Sequence, residues 1–183
     1  MHPSAMQNCI RFFDVYGTHK DSGLVIDIGS QNVNGSLRDA TPARFEYVGL
    51  DFQEADGVDI VLTDPYQLPY EDGSVDIVLS SSCLEHSEFF WLTFMEMVRV
   101  AKPDGLIYIN VPSEGQHHSY PVDCWRFRID ASLALMNWAK RNGSPVTMLE
   151  AYTDPTPPWH DMVAIYVADG QHADKYPDRI DLP

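Results

Sequence analysis

The chain has 183 residues, 44% of them apolar, and a formal net charge of −15 at pH 7. That length and apolar content describe one globular domain with its own core. The acidic balance, with no basic cluster to offset it, weighs against nucleic acid as a partner. No apolar run approaches the roughly 20 residues of a membrane helix. The opening "MHPSAMQNCIRFFDVYG" lacks the basic flank and apolar block of a secretion signal, so a cytoplasmic protein without a membrane segment is expected. Cys9, Cys83 and Cys124 are odd in number and far apart, which fits free thiols; Cys83 reads as a buried one.

In chain order, Met6, Cys9, Ile10 and Phe13 fall at helical spacing and predict a helix over 4–16, ended by Gly17. "KDSG" links it to a first strand, "LVIDIG", and Gly35 is expected to open the next helix. Further β-rich runs follow at 45–51, 58–64, 74–81 and 105–112, with a periodic helix at 89–101 closed by "KPDG". Residues 130–141 predict another helix with Asp130 as N-cap. Two last strands, 145–153 and 161–169, are joined by a proline-rich connector without a helix, hence antiparallel. The expected organisation is an N-terminal helix and linker over 1–22, a domain over 23–169 and a polar coil over 170–183. Strands alternating with helices or short crossovers predict an α/β domain whose mostly parallel sheet has five parallel strands plus a terminal hairpin.

The loop after the first strand, "DIGSQNVNG", should line the crevice at the carboxyl ends of the strands. Gly29 permits a sharp turn there. A dinucleotide loop needs G-x-G-x-x-G, yet Gln31 stands at the second glycine's place and would project into the pyrophosphate's space. Asp51, ending the second strand, is placed to accept from a ribose diol, the alternative being a solvated strand end. Asp64, in "LTDPYQLPY", could accept from an adenine amino group, with Pro65, Tyr66 and Leu68 beside the ring. These features together describe an adenosine attached to something other than phosphate.

"VIDIGSQNVNG", "YVGLD", "TDPYQLPYEDGSVDIVLSSSCLEH" and "EMVRVAKPDGLIYINVP" resemble successive motifs of class I S-adenosylmethionine-dependent methyltransferases, above all the type-11-like methyltransferase domain, over about 23–112. The resemblance implies a Rossmann-like methyltransferase fold: a seven-stranded sheet with a reversed last strand and helices on both faces. It also implies S-adenosyl-L-methionine as cofactor, with S-adenosyl-L-homocysteine as product. Asp27, Gly29, Ser30 and Gly35 would surround its methionine part, Asp51 the ribose and Asp64 the adenine. Gln31, Asn34, Phe52, Pro65, Tyr66, Ser81 and Ser82 complete the expected cofactor site. The departure from the family is the long "GSQNVNG" where G-x-G-x-G is common; Asn34 and Ser36 offer local polar contacts instead.

Acceptor and methyl should meet at "SSSCLEHSE", where His86 is the candidate base. Its alternative is to hydrogen-bond backbone or line the cofactor pocket, and Glu85 reads as solvated or cofactor-orienting. The long segment "EGQHHSYPVDCWRFRIDAS" gathers His117, His118, Tyr120, Asp123, Trp125 and Arg126 as candidate substrate contacts. They suit a sugar or other small polar acceptor, including a glycan; the alternative is a structural lid. No metal is expected from His117, His118 and Asp123, since an oxygen-rich site needs more carboxylates. A nicotinamide oxidoreductase is disfavoured by Gln31 and by "YGTHK" lying before the first strand. "TPPW" reads as a hairpin connector and not as an amino-methyltransferase motif, and no G-x-S-x-G supports a hydrolase. The non-enzyme alternative is a catalytically silent cofactor-binding or partner protein.

Overall fold

Apolar residues alternate along the central strands, so each strand feeds a core on either face of a sheet. The computed structural model describes residues 2–182; Met1 and Pro183, the outer ends of the two expected terminal segments, lie outside them. The strands are β1 (Gly23–Ile28), β2 (Phe45–Asp51), β3 (Ile60–Val61), β4 (Val75–Ser81), β5 (Ala101–Val111), β6 (Thr147–Thr153) and β7 (Met162–Val167). They form one sheet in the order β3-β2-β1-β4-β5-β7-β6. β1 to β5 pair in parallel, while β7 runs antiparallel between β5 and β6. This is the five-plus-hairpin α/β sheet that the sequence predicts.

Helix α1 (Pro3–Val15) packs on one face, where Cys9, Phe12, Phe13 and Tyr16 meet Val25, Ile77, Leu79 and Tyr108. Helices α2 (Phe90–Val100) and α3 (Asp130–Arg141) cover the other with Phe94, Met97, Leu135 and Ala139 against Ile26, Val78, Ile107 and Tyr166. The buried stripe of α1 is displaced from the expected one. Phe12 is fully buried, whereas Ile10 is 36% exposed.

Several local expectations are corrected. The strand expected at 58–64 pairs only at Ile60–Val61, because Asp64 has already turned back to accept the Tyr66 amide at 2.9 Å. "KPDG" does not end α2 but lies within β5, which begins directly at Ala101. Pairing jumps from Val75–Ala101 to Ile77–Leu106, so residues 102–105 bulge opposite Asp76, and Lys102 Nζ holds the Asp76 carboxylate at 2.9 Å. Gly35 opens no helix. The Asn32 side chain accepts its amide at 2.8 Å and Ser36 Oγ accepts from Arg38 at 3.2 Å. Such local bonds compete with helix formation, and only a 3-10 turn, Leu37–Asp39, follows. Ile129, not Asp130, stands at the N-cap of α3. The expected polar coil folds back instead: Gly170–Lys175 is a 3-10 turn, and Tyr176 and Ile180 are buried against the α1 side of the sheet.

Gly29, at the exit of β1, has φ +83°, and a Cβ there would meet Cys83 Cβ and Sγ at 2.5 Å. Gly143, after α3, has φ +87° but nothing within 4 Å of an added Cβ. Gly29→Ala should therefore cost about 2–4 kcal/mol, strain plus overpacking, and Gly143→Ala only about 1 kcal/mol. Denaturant unfolding of the two variants checks the difference.

Candidate functional site

The strand order reverses between β1 and β4, and the crevice beyond their carboxyl ends is where such sheets bind ligands. A cavity of about 550 Å³ lies there. The Gly29 and Ser30 amides donate to Leu50 O at 2.9 and 3.1 Å, which draws the β1 loop over the end of β2. Asp51, 6% exposed, accepts from the Phe52 amide at 2.7 Å and the Gln31 amide at 3.3 Å. Those bonds fix its carboxylate at the cavity wall. Asp27 is buried and takes the Tyr47 hydroxyl on Oδ2. Burial pushes its pKa up to about 7, with the nearby Asp51 adding to the effect and Tyr47 opposing it.

Among the described residues, several buried polar atoms of this wall have no partner: Asp27 Oδ1 and the hydroxyls of Ser30, Ser81 and Ser82. Buried polar groups are normally satisfied, so an unsatisfied row around one cavity points to a polar ligand. Ser82 is also held at φ +52°, an uncommon conformation for a residue with a side chain.

At the other end, Glu85, His86, His118 and Tyr120 line the cavity. The His86 Nδ1–H donates to Val122 O, which leaves Nε2 as the ring's lone-pair nitrogen. Burial lowers the His86 pKa. Glu85 is only 1% exposed and not solvated; burial pushes its pKa up to about 8. Its Oε1 stands 3.7 Å from His86 Nε2, and its Oε2 has no partner among the described residues.

Of the cofactor residues expected from sequence, Asp27, Gly29, Ser30, Gln31, Asn34, Asp51, Phe52, Pro65, Tyr66, Ser81 and Ser82 line this one cavity. Gly35 and Asp64 do not. Gly35 is turned into its own loop by Asn32, and Asp64 is exposed, its carboxylate engaged with the Tyr66 amide. Of the substrate candidates, His118 and Tyr120 reach the cavity, but His117, Asp123, Trp125 and Arg126 do not. Asp123 accepts from the Arg126 guanidinium and from the His118 amide at 2.7 Å. The guanidinium holds its pKa well below the usual carboxylate range. Trp125 Nε1 donates to Ser87 O at 2.8 Å, and the Cys124 and Trp125 amides donate to Glu85 O at 2.8 and 3.2 Å. These side chains brace the 113–129 segment against the end of β4; Arg126, committed to Asp123, is not a free anion clamp.

His2, Cys83 and Trp159 also line the cavity. Cys83 is half-buried, Cys9 buried and Cys124 exposed, all free thiols. Nothing in the sequence around His2 marks it. Trp159 was legible in principle: β6 runs with the parallel strands, so the connector after it returns to the crevice end. His2 stacks on Trp159 with ring centroids 5.5 Å apart. Among the described residues no helix is long and apolar enough to cross a membrane.

Residues 26–109 match the family model described as a methyltransferase domain. An uncharacterised methyltransferase of Mycolicibacterium gilvum is 36% identical over 90 residues, covering 49% of this chain and 31% of that protein. The chain thus aligns with less than a third of the length of this curated relative. Among solved structures, the Burkholderia thailandensis 1,6-didemethyltoxoflavin-N1-methyltransferase with bound 1,6-didemethyltoxoflavin and S-adenosylhomocysteine has TM-score 0.68 at 15% identity, covering 89% of this chain and 77% of that one. A chain of the complex between the Haloferax volcanii Trm112 methyltransferase activator and a methyltransferase has TM-score 0.61 at 18% identity, covering 91% and 95%. The likeness in fold, the crevice with its glycine bend and the match over 26–109 agree: the chain has the Rossmann-like methyltransferase fold, and its residues 26–109 are similar to the methyltransferase domain family.

Proposed function

We propose that the protein is an S-adenosylmethionine-dependent methyltransferase acting on a small polar acceptor, with a sugar or glycan hydroxyl as the substrate class. One observation carries this reading: a single cavity is lined by the Asp51 carboxylate, by Glu85, His86 and His118, and by serines whose hydroxyls are unsatisfied among the described residues. The donor and acceptor set fits the cofactor. Asp51 takes the ribose hydroxyls, Phe52, Leu62, Pro65 and Tyr66 supply apolar surface for the adenine, and Asp27 with Ser30 faces the methionine ammonium. When bound, S-adenosylmethionine supplies an electrophilic methyl group on a sulfonium, leaving S-adenosylhomocysteine as product.

The chain's own contribution is alignment and proton handling. Holding reactants in a near-attack geometry is worth about 7–11 kcal/mol. His86 Nε2, with its partner nitrogen tied to Val122 O, is the base that takes the acceptor proton, a role worth about 10²–10⁴-fold. His118 and Tyr120 orient the acceptor.

Calorimetry with S-adenosylhomocysteine tests the cofactor reading. Binding is expected, weakened about 10–100-fold by Asp51→Ala through loss of the charge-assisted ribose bonds. No heat with either form of the cofactor would overturn it. Transfer of a labelled methyl group to a panel of sugar and glycan hydroxyls then separates an enzyme from a catalytically silent binder, and His86→Ala should slow it at least 100-fold.

The Asp27 pKa of about 7 gives the binding a pH dependence. The free protein holds a proton on this carboxyl below that pH, whereas a ligand ammonium favours the ionised form. Binding therefore releases the proton, and affinity rises as pH rises through about 7. Affinity for S-adenosylhomocysteine should be up to about tenfold greater at pH 8 than at pH 6, and Asp27→Asn should flatten the profile.

A further inference from the structure

We propose that Glu85, His86 and His118 form a binding site for one divalent cation of the zinc class at the acceptor end of the cavity. One potential ligand atom from each of these side chains lies within 4.8 Å of the other two. Two imidazoles and one carboxylate, with a further position open to water or substrate oxygen, are the ligand types of a three-ligand zinc site. The set is too nitrogen-rich for magnesium or calcium, which take oxygen ligands. It differs from the trio weighed on sequence grounds: His117 is exposed and Asp123 is tied to Arg126, so neither faces this point.

Three observations argue for a ligand here beyond mere proximity. Glu85 is 1% exposed, and its Oε2 has no hydrogen-bond partner among the described residues although the side chain lines the cavity. A buried carboxylate oxygen left unmatched is costly, and a cation would satisfy it. His86, in turn, has Nδ1 beside the Val122 carbonyl, while His118 Nδ1 lies 3.1 Å from Gln116 O and 3.4 Å from Arg126 Nη2. The Nδ1–H of His86, fixed in this way, sets that ring's tautomer and turns its Nε2 lone pair outward, the outer-shell arrangement that metal-bound histidines require. The cationic neighbour that would oppose a metal, Arg126, is already neutralised by Asp123, with NH2 at 2.8 Å from Oδ2.

Ligand atoms of a tetrahedral zinc site stand about 3.4 Å apart, so the widest separation must close by up to about 1.4 Å. His118 sits on the long 113–129 segment, outside the sheet and helices, so its side chain is the member that turns to close that gap. With a cation bound, the His86 Nε2 lone pair is committed to the metal. That nitrogen cannot then take the acceptor proton, so the cation-bound and the base-competent states of His86 exclude one another. The binding itself does not depend on the reaction proposed above.

The test is calorimetric titration of the full chain, stripped with a chelator and dialysed, with Zn²⁺ and separately with Mg²⁺, alongside metal analysis of the zinc-loaded protein. One equivalent of Zn²⁺ and no comparable uptake of Mg²⁺ are expected. Glu85→Gln and His118→Ala should each weaken Zn²⁺ binding at least tenfold, while His117→Ala, an exposed neighbour, should not. Far-UV dichroism and S-adenosylhomocysteine binding, measured on every variant, establish that each is folded. The proposal is overturned if folded wild-type protein takes up no stoichiometric Zn²⁺, if both ligand variants bind it as tightly as wild type, or if the loss follows His117. Cofactor binding that persists without zinc uptake rejects the cation site alone, whereas zinc uptake without cofactor binding rejects the methyltransferase reading and leaves the site standing.

Discussion

The site depends on how closely two loops approach at the sheet's reversal point. Gly29 leaves β1 against Cys83, which leaves β4, with no room for a side chain between them. Because β1 and β4 pair directly, with Ile28 opposite Ser80, the chain must turn outward at both exits. That turn opens the crevice. The amides of Gly29 and Ser30 then bond back to Leu50 O and bring the end of β2, with Asp51, into the same wall. One tight contact thus sets the cavity floor, and its polar lining follows from the strand ends it gathers.

The electrostatics of that wall are unusual in a consistent direction. Asp27 and Glu85 are nearly fully buried, and each keeps an oxygen without a partner among the described residues, while Asp51 lines the same cavity. Burial raises the pKa of Asp27 and Glu85 toward neutrality. Carboxylates held so are poised for cationic ligand groups, since a positive charge offsets the desolvation that destabilises their ionised forms. A chain with net charge −15 has no surplus of its own cations to place there; the one guanidinium near the acceptor end, Arg126, is already taken by Asp123.

How much of this was legible in the sequence follows from the range of the interactions involved. The parallel order, the reversed hairpin and the cavity wall from Asp27 to Ser82 are encoded in strand-length apolar runs and in residues at strand ends, where topology dictates position. Residues whose placement depends on side-chain pairing were not legible in the same way. Asp123 and Arg126 look like substrate groups in a long loop, but they satisfy each other. Asp64 sits at a strand end in sequence, yet β3 is too short to carry it into the cavity. Glu85 looks solvated in the polar stretch "SSSCLEHSE", but the amides of Cys124 and Trp125 lay the later loop across it. Tyr176 and Ile180 occur in a polar stretch and are buried only because the sheet offers them a vacant apolar strip.

The reversal of β7 has a consequence for how this domain could acquire new specificity. Its connector from β6, residues 154–161, returns to the rim and carries Trp159, whose carbonyl accepts the Ser113 and Glu114 amides at 3.1 and 2.9 Å. This connector lies outside the strand pairing, so lengthening it would leave the register of the hairpin untouched. A graft there would extend the cavity rim at Trp159 while the wall at Asp27 and Asp51, built from the opposite half of the sheet, stayed as it is. Evolution or a protein engineer would therefore reshape this rim by working on one turn.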